Sequence, residues 1–506
     1  MRMRILLEEA LCDEAMAHLA QSGAEIVVDA TLASVATADA VILTGKANVP
    51  EAMCDVDTKV QVVGCLGKEN EGFDRQQATR AGMLILAPRR GEAASVADYA
   101  LQQILAMARK RKVGPAMELS GKTLGFVGFP PVGAEVAKRA QGFGMELLCY
   151  DQNLARGRAA LYHCESTSLV DLLVRSNFVL LLAEPDDWST SLIGKDEIQL
   201  LKKGAGLICL ADPQIFRWEE LVRALDWGYL EYFAIDLPER QAALAKDVAA
   251  YGTVTVAEAA NTSEARIAGQ LEMAKDVAAA LTGAQVDTAT NLPRVHAANL
   301  KEGERWCTLA YLLGVFMGQR LKGLPKQLEI EEAGAVPVAE SAAIVASVLA
   351  GFAEGCGEKK INRVNSRLWA EERGISVAVC QRDDAAKHSL RLALEAERGR
   401  LQVAGTCDGG ANSITQVDAY HLQGHLYPHI LLVPHENKPG VIGQVGTLLG
   451  EKQVNIAEMV LGYKPHDRST ALMWMQLDQP LAKNTSEESQ RLASVLNMEI
   501  INLPID

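Results

Sequence analysis

A glycine-rich turn after an apolar stretch is the first feature of this sequence that could bind a ligand. Residues 121–133 read GKTLGFVGFPPVG, in which Gly128 and Gly133 hold the first and third glycine positions of a G-x-G-x-x-G pattern. Such a turn brings backbone N–H groups at a helix start close to a pyrophosphate. Pro130 holds the second position, where its ring adds bulk and removes an N–H group. The pattern therefore predicts a dinucleotide-binding turn with impaired phosphate contacts.

A carboxylate follows the next apolar run at the distance that a dinucleotide site requires. Asp151, in CYDQN, stands about where an acid binds the ribose hydroxyl groups of such a cofactor. An aspartate in that place also simply ends a strand and begins a turn. We expect Gly128, Gly133 and Asp151 to be the cofactor-binding residues, and we expect the binding of NAD to be weak.

A second candidate site lies near the end of the chain, in the stretch HENKPGVIG at residues 435–443. A helix is predicted to begin at Pro439–Gly440, and the free amides of a helix start accept a carboxylate. The side chain of Asn437 can donate and accept, and Asn455 opens the next predicted strand. Asn437, Gly440 and Asn455 would together suit a zwitterion. The alternative is that all three are ordinary turn and cap residues.

The elements that must position these residues form four blocks. Short apolar runs alternate with helical stretches over residues 1–100 and again over 121–262, which predicts two parallel sheets covered by helices. Residues 294–426 are predicted to be mixed α/β. From residue 427 the order becomes βαββαβ, with the second helix in SEESQRLASVL, which is typical of a ferredoxin-like domain. The fold class is therefore α/β.

The composition restricts the partners of the protein. The 506 residues carry a formal net charge of −14, which argues against nucleic acid or an anionic membrane as the main partner, although Arg89–Arg90 could form a local basic pocket. The 10 cysteines contain no C-x-x-C pair, so we expect neither a disulfide scaffold nor a metal site. No apolar run reaches the roughly 18 residues of a membrane span. We expect a cytoplasmic protein.

Several stretches in combination resemble the long form of D-3-phosphoglycerate dehydrogenase: ATRAGMLILAP, SVADYALQQILAMAR, GKTLGFVGF, INRVNSRLWAEERGI, VAGTCDGG and HENKPGVIGQVGTLLGEKQVNIAEMVLG. The resemblance covers essentially the whole chain. It implies a substrate-binding domain at 1–97 plus 263–293, an NAD-binding domain at 98–262, an intervening domain at 294–426 and an ACT domain at 427–506. It also implies that Asn437, Gly440 and Asn455 bind L-serine between two subunits.

The catalytic residues that this resemblance implies are missing from the sequence. Hydride transfer between NAD and a 2-hydroxy acid needs an imidazole for the hydroxyl proton and an arginine for the carboxylate. The family's histidine falls on Ala257 and its arginine on Asp212, in ICLADPQ. The acid that orients the imidazole falls on Gln241, or on Glu239 with a gap. We therefore predict no catalytic residue here, and we expect Asp212 to be a helix N-cap followed by proline.

Other positions weaken the site further. Two residues that usually hold the phosphate-bearing substrate correspond to Thr44 and Cys65. Arg217 lies a turn beyond Asp212 as a potential substitute, and His18 and His163 are the histidines that precede His296. Nothing in the sequence places either histidine in a cleft.

Three functions remain open from the sequence. The favoured one is a weakly active or inactive, serine-sensing paralogue, which forms homo-oligomers or pairs with an active dehydrogenase. The second is a working NAD-dependent oxidoreductase with a rebuilt site. The third is a structural oligomer without ligands.

Overall fold

The computed structural model describes the chain except for residues 1–2, 46–50, 55–57, 67–72, 89, 110–114, 153, 155–156, 184–188, 231, 285, 287, 294–299, 322–324, 334–340, 383–387, 397–398, 408–411, 482–491, 493 and 506. The chain divides into two compact units, which are residues 1–75 with 84–290, and residues 76–83 with 291–506. No helix within the described residues is long and apolar enough to cross a membrane.

A five-stranded parallel sheet begins the first unit. Its strands lie in the order β2-β1-β3-β4-β5, so the chain leaves β1 to one side and returns on the other. They are β1 (Arg4–Leu7), β2 (Glu25–Val28), β3 (Ala40–Leu43), β4 (Val62–Cys65) and β5 (Leu84–Leu86). The helices of this part are α1 (Asp13–Gln21) and α3 (Ala93–Arg109), whereas all but the first residue of α2 (Arg75–Arg80) belongs to the second unit. All five strands lie within residues 1–100, where the apolar runs predicted a parallel sheet.

A seven-stranded parallel sheet follows, in the order β12-β11-β10-β9-β6-β7-β8. Its strands are β6 (Thr123–Val127), β7 (Glu146–Tyr150), β8 (Cys164–Ser166), β9 (Phe178–Leu181), β10 (Gly206–Cys209), β11 (Tyr232–Leu237) and β12 (Gly252–Val256). Its helices are α4 (Pro131–Gly142), α5 (Leu169–Arg175), α6 (Lys195–Gln199), α7 (Trp218–Asp226) and α8 (Ala245–Val248). This sheet and the first confirm the predicted pair of Rossmann-like sheets.

Neighbouring residues along a strand of the second sheet belong to different hydrophobic cores, because successive side chains of a strand point to opposite faces. Phe126 and Leu180 pack with α3 and α4 on one face. Val127 and Leu181 pack on the other face with the core that contains α7. Both faces are therefore covered, as a parallel sheet requires.

Helix α9 (Ser263–Leu281) returns to the first sheet. A side chain at Gly64 of β4 would meet Sδ of Met273 at 2.5 Å, so glycine allows the helix to pack closely. The backbone N–H of Cys12 donates to Oε1 of Gln270 over 2.7 Å, which ties α9 to the start of α1. The edge of the sheet is extended by a bridge between Leu86 and Ala289.

The second unit is built on a ten-stranded mixed sheet in the order β14-β13-β15-β16-β17-β18-β20-β21-β19-β22. Its helices are α10 (Leu300–Arg320), α11 (Ser341–Gly355), α12 (Ser366–Glu372) and α13 (Val441–Glu451). Its strands are β13 (Gln327–Ala333), β14 (Ser376–Arg382), β15 (Ser389–Ala396), β16 (Gly399–Thr406), β17 (Ser413–Val417), β18 (Tyr420–His425), β19 (His429–Glu436), β20 (Ile456–Tyr463), β21 (Thr470–Leu477) and β22 (Glu499–Asn502).

The C-terminal part follows the predicted order as far as β21. Strand β19 leads into α13, and β20 and β21 follow, with β21 between β19 and β20 in the sheet. Most of the predicted helix SEESQRLASVL lies outside the described residues. Its end is not helical, because Val495 forms a bridge with His435 and the N–H of Leu496 donates to the carbonyl of Pro434. There the prediction was wrong, since this backbone pairs with β19 instead.

Candidate functional site

The predicted dinucleotide turn keeps its strand–turn–helix form. Gly128 follows β6 with φ +85°, and its N–H donates to the carbonyl of Tyr150 at 2.8 Å. A Cβ atom at Gly128 would lie 2.5 Å from the backbone of Ala183. Both the left-handed φ and the close approach demand glycine. Gly133 lies in the first turn of α4, where a Cβ would meet the Phe129 ring at 3.1 Å.

At four positions of this turn, 129, 130, 131 and 133, the N–H group is missing or occupied. The backbone N–H of Phe129 donates to Oδ2 of Asp151 at 2.8 Å. Pro130 and Pro131 have no N–H group. The N–H of Gly133 donates to the carbonyl of Pro130 at 2.8 Å. The turn is therefore closed on itself, with three successive residues that offer no N–H to a ligand.

Asp151 therefore has a structural role in addition to its predicted one. Its carboxylate holds the turn of Phe129 in place, whereas the sequence predicted contact with a ribose. The ring of Phe129 is 3% exposed and packs edge-on against Phe126, with the ring centroids 5.5 Å apart. This packing and the hydrogen bond together fix the turn.

The three positions of the family's catalytic residues follow three neighbouring strands. Asp212 comes after β10, Gln241 after β11 and Ala257 directly after β12. Nε2 of Gln241 lies 3.4 Å from Oδ1 of Asp212, so the structure brings these two together. The carboxylate of Asp212 accepts the N–H of Gln214 at 2.9 Å and caps a short 3₁₀ helix, Pro213–Ile215. The predicted capping role of Asp212 is confirmed.

Ala257 stands in a tight turn. Its φ is +55°, and its N–H donates to the carbonyl of Leu237 at 2.9 Å. Non-glycine residues rarely adopt this conformation, and histidine is among those that tolerate it best. The backbone would therefore accept a histidine, but the present side chain offers no group for proton transfer. Glu239, the alternative to Gln241, begins a 3₁₀ helix that ends at Leu244.

A polar network beneath this turn was missed by sequence reasoning. The hydroxyl oxygens of Tyr99 and Thr255 lie 2.6 Å apart, and Thr255 donates to Oδ1 of Asp236 at 2.7 Å. The carboxylate of Asp236 also accepts the N–H groups of Glu258 and Ala259, each at 3.0 Å. Burial raises the pKa of the Tyr99 phenol. The sequence feature that could have indicated this network is the aspartate inside the apolar run YFAIDL.

The substitutes considered from the sequence do not restore the missing groups. The guanidinium of Arg217 pairs with Glu197 at 2.9 Å and with Glu220 at 3.5 Å, so its charge is already balanced. His163 is exposed after a 3₁₀ turn, with φ +53°. His18 lies in the last turn of α1. These ion pairs contradict the hypothesis that Arg217 replaces the family's carboxylate-binding arginine.

The two positions expected to hold a substrate phosphate carry no positive charge. The N–H groups of Thr44 and Gly45 donate to Oε2 of Glu8, at 2.5 and 3.2 Å, and Glu8 is 1% exposed. Cys65 ends β4, and burial raises the pKa of its thiol to about 11. The thiol therefore stays protonated at neutral pH. A buried carboxylate and a neutral thiol are unsuitable partners for a phosphate.

At the C-terminal candidate site, Asn437 is fixed by the turn between β20 and β21. Its N–H donates to the carbonyl of Ser469 at 2.8 Å, and its Nδ2 donates to the carbonyl of Arg468 at 2.9 Å. Gly440 precedes α13 with φ +92°, and a Cβ there would meet nothing within 4 Å. Glycine is therefore required by the backbone conformation, and the surface above it is open.

Asn455 lies at the other end of the same strands. Its N–H donates to Oδ1 of Asp478 at 3.0 Å, just beyond β21. Strand β21 has 8 residues, so about 25 Å separates the two ends at roughly 3.3 Å per residue. One chain therefore does not bring Asn437 and Asn455 together. A ligand bound by both needs two copies of the chain.

His435 lies close to Asn437 in sequence and is 2% exposed. Its Nδ1 is 2.8 Å from the carbonyl oxygen of Glu436, and its buried Nε2 has no hydrogen-bond partner within the described part of the chain. The residues described contain no cluster of metal-ligating groups.

Family comparisons agree with this architecture. Residues 83–257 match the family model described as "D-isomer specific 2-hydroxyacid dehydrogenase, NAD binding domain". The second sheet with its glycine turn lies within the residues that match this NAD-binding domain. Residues 303–418 match the "D-3-phosphoglycerate dehydrogenase intervening domain".

Similar proteins extend the match to the whole chain. The D-3-phosphoglycerate dehydrogenase of Archaeoglobus fulgidus is 26% identical, over 99% of this chain and 100% of the relative. That of Bacillus subtilis is 24% identical, over the same shares of the two chains. The chain belongs to the D-3-phosphoglycerate dehydrogenase family.

Comparisons with solved structures each cover just over half of the chain. A 3-phosphoglycerate dehydrogenase of Entamoeba histolytica with bound NAD+ has a TM-score of 0.47 and 20% identity, over 57% of this chain and 99% of that chain. A glyoxylate reductase of Paecilomyes thermophila has a TM-score of 0.48 and 18% identity, over 57% of this chain and 98% of that chain.

Proposed function

We propose that this chain is a weakly active or inactive paralogue of D-3-phosphoglycerate dehydrogenase that senses L-serine. The observation that carries the proposal is the pair formed by Asp212 and Gln241, with 3.4 Å between Oδ1 and Nε2. It stands where the family places a carboxylate-binding arginine and an acid. A carboxylate in that place repels the carboxylate of a 2-hydroxy acid instead of binding it.

Proton transfer is impaired as well. Oxidation of a 2-hydroxy acid requires a base for the hydroxyl proton while the hydride leaves. Ala257 cannot supply one. The Tyr99 hydroxyl is close to Thr255, but burial raises its pKa, so the phenol keeps its proton at neutral pH. Losing the acid–base group alone typically slows such a reaction by about 10²–10⁴-fold.

Binding of NAD is proposed to be weak for a separate reason. The pyrophosphate of a dinucleotide is normally held by N–H groups of the glycine turn. Here the Phe129 N–H is bound to Asp151, and two prolines follow. NAD, when bound, would accept the hydride, and Gly128, Gly133 and Asp151 would line its site.

The C-terminal strands support the sensing part of the proposal. The open surface at Gly440, the start of α13 and the two asparagines suit a small zwitterion such as L-serine. Because Asn437 and Asn455 lie at opposite ends of β20 and β21, the site would form between two chains. The protein would therefore form a homo-oligomer, or a hetero-oligomer with an active dehydrogenase. Its C-terminal part would act as an ACT domain. We place the protein in the cytoplasm.

The second function is a working NAD-dependent oxidoreductase with a rebuilt site. It is supported by the match of residues 83–257 to an NAD-binding domain and by the retained turn at Gly128. One experiment separates the two functions. NADH formation from 3-phosphoglycerate is measured with purified protein, and thermal stability is measured with L-serine. No turnover together with stabilisation by serine supports the paralogue, and rapid turnover supports the oxidoreductase.

A further inference from the structure

Strand β14 (Ser376–Arg382) forms one edge of the ten-stranded sheet and is open to solvent. Within the described residues it pairs only with β13, in parallel register from Gln327↔Ser376 to Ala333↔Arg382. Six of its 7 residues are exposed, and Val379 has 43% of its surface in solvent although its side chain is apolar. An exposed edge strand of this kind is a template on which another strand can pair.

Alternate residues of β14 direct their backbone N–H and C=O groups away from the sheet. The N–H of Ser376 donates to the carbonyl of Lys326 at 3.0 Å, so the backbone groups of Ser376 face β13. Successive residues of a strand direct these groups to opposite sides. Val377, Val379 and Gln381 therefore present theirs at the outer edge, where the described part of the chain supplies no hydrogen-bond partner for these backbone groups.

The opposite edge of the same sheet is closed by a side chain. At β22 the N–H of Asn502 donates to Oε1 of Gln319 at 3.0 Å, and Nε2 of Gln319 donates back to the carbonyl of Asn502. The amide of Gln319 thus takes the place of a neighbouring strand. Proteins also protect an edge with charged residues, but the one charged residue of β14 is Arg382, at its last position. The middle of β14 therefore lacks both kinds of protection among the described residues.

The order of residues in β14 suits pairing with a second copy of the same strand. In two antiparallel copies related by a twofold axis at Val379, Val377 of each copy lies opposite Gln381 of the other. The outward backbone groups then face one another, and each such pair of residues exchanges two hydrogen bonds, about six in all. The two Val379 side chains meet at the axis. Arg382 lies opposite Ser376, so no like charges are opposed.

We propose that β14 pairs antiparallel with β14 of a second copy of this chain, so that the two ten-stranded sheets continue into one another. The contact uses the same residues on both copies and closes on itself as a twofold dimer. It lies apart from the serine site and does not depend on serine binding. Chains that also pair through the C-terminal site would form assemblies larger than a dimer.

Cross-linking of the unmodified full-length protein tests the register. Cys380 is exposed and lies opposite Ala378 of the second copy, so the two Cys380 residues are diagonal neighbours about 7–8 Å apart. A short bismaleimide, which couples two thiols, should yield a covalent dimer on a denaturing gel. The dimer should disappear in Cys380→Ser and persist in Cys356→Ser, because Cys356 is also exposed but lies outside β14. The proposal is overturned if no dimer depends on Cys380.

Proline at position 379 tests the backbone pairing. Val379→Pro removes an outward N–H and leaves the bonds to β13 in place, which is why edge strands tolerate proline there. Val379→Thr is the matched control, since it keeps the N–H and a β-branched side chain. Sedimentation velocity should show half as many subunits per particle for Val379→Pro and an unchanged number for Val379→Thr.

Thermal unfolding shows whether Val379→Pro is folded. In a folded variant, an unchanged particle size overturns the proposal, and so does an equal loss of size in both variants, because the backbone N–H would then not be the cause. If Val379→Pro does not fold, the cross-linking of the unmodified protein decides alone. Failure of L-serine to bind would leave the cross-link through Cys380 in place, so it would contradict the proposed sensing function and not this contact.

Discussion

The backbone N–H of Phe129 donates a hydrogen bond to Oδ2 of Asp151, with 2.8 Å between nitrogen and oxygen. The turn that should hold a pyrophosphate is thereby joined to the residue that should hold the adjoining ribose. With Pro130 and Pro131 next in the chain, three successive positions offer no N–H group to an anion. The turn has kept its shape, but the N–H groups of Phe129 and Gly133 form hydrogen bonds within the protein.

The first prediction concerns Pro130. Pro130→Gly restores an N–H and removes the ring, so we expect NAD to bind at least about tenfold more tightly, equivalent to roughly 1.4 kcal/mol. Pro130→Ala restores the N–H but keeps a side chain, which separates the hydrogen bond from the bulk. Both are compared with the unmodified protein by calorimetric titration. Tight and equal binding by all three proteins would contradict the role given to Pro130.

The second prediction concerns turnover. We expect no measurable NADH from 3-phosphoglycerate, and we expect Ala257→His alone not to restore it, because Asp212 still repels the substrate. The left-handed backbone at Ala257 tolerates histidine, so this variant should remain folded. A triple variant, Asp212→Arg with Gln241→Glu and Ala257→His, tests whether the missing groups suffice together. A rate near 10 s⁻¹, an ordinary enzyme value, in the unmodified protein would refute the paralogue.

The third prediction is that L-serine raises the melting temperature. Binding to the folded state alone stabilises it by about 2.7 kcal/mol at one hundred times Kd. Asn437→Ala should abolish the shift. Without ligand it should cost only about 1 kcal/mol, since it removes one hydrogen bond, to the carbonyl of Arg468, at an exposed residue. Asn497→Ala is the matched control, because Asn497 is also exposed and donates to Glu499 at 3.1 Å. An unchanged shift in Asn437→Ala would exclude this site.

The fourth prediction is that the serine site forms between two chains. Asn437→Ala and Asn455→Ala should each abolish serine binding when studied alone. In a mixed dimer, one of the two sites carries both substitutions and the other carries neither, so half of the sites in mixed dimers should return, which is about a quarter of all sites after random pairing. Titration of the separate and co-refolded proteins measures this recovery. If mixing restores nothing, the two asparagines do not share a ligand across the interface.

The fifth prediction tests the fold of the dinucleotide turn. Gly128→Ala should destabilise the protein by a backbone term of about 1–2 kcal/mol and by an overpacking term of about 1–3 kcal/mol, because its Cβ would lie 2.5 Å from Ala183. Gly121→Ala is the control, since Gly121 has φ +69° but open space around its Cβ. Denaturation midpoints should fall further for Gly128→Ala. Equal midpoints would mean that the turn yields to the added methyl group.

Local patterns in the sequence were sufficient to predict much of the architecture. The apolar runs predicted the two parallel sheets, because inner strands such as β3, β9 and β10 are buried on both faces and must be apolar throughout. The capping role of Asp212 was also readable, since an aspartate followed by proline has few other uses at a helix start. Such features depend on residues adjacent in the chain.

Hydrogen bonds and ion pairs between residues far apart in the chain could not be predicted from local patterns. The bond from Phe129 to Asp151, the network of Tyr99, Thr255 and Asp236, and the ion pairs of Arg217 each depend on side chains from separate elements. The sequence determined which chemical groups the protein has, including the absence of a histidine at position 257. Only the tertiary structure decided which of these groups already bond to one another, because strand order and helix packing set the distances between elements, and hydrogen bonds and ion pairs act only over a few ångströms.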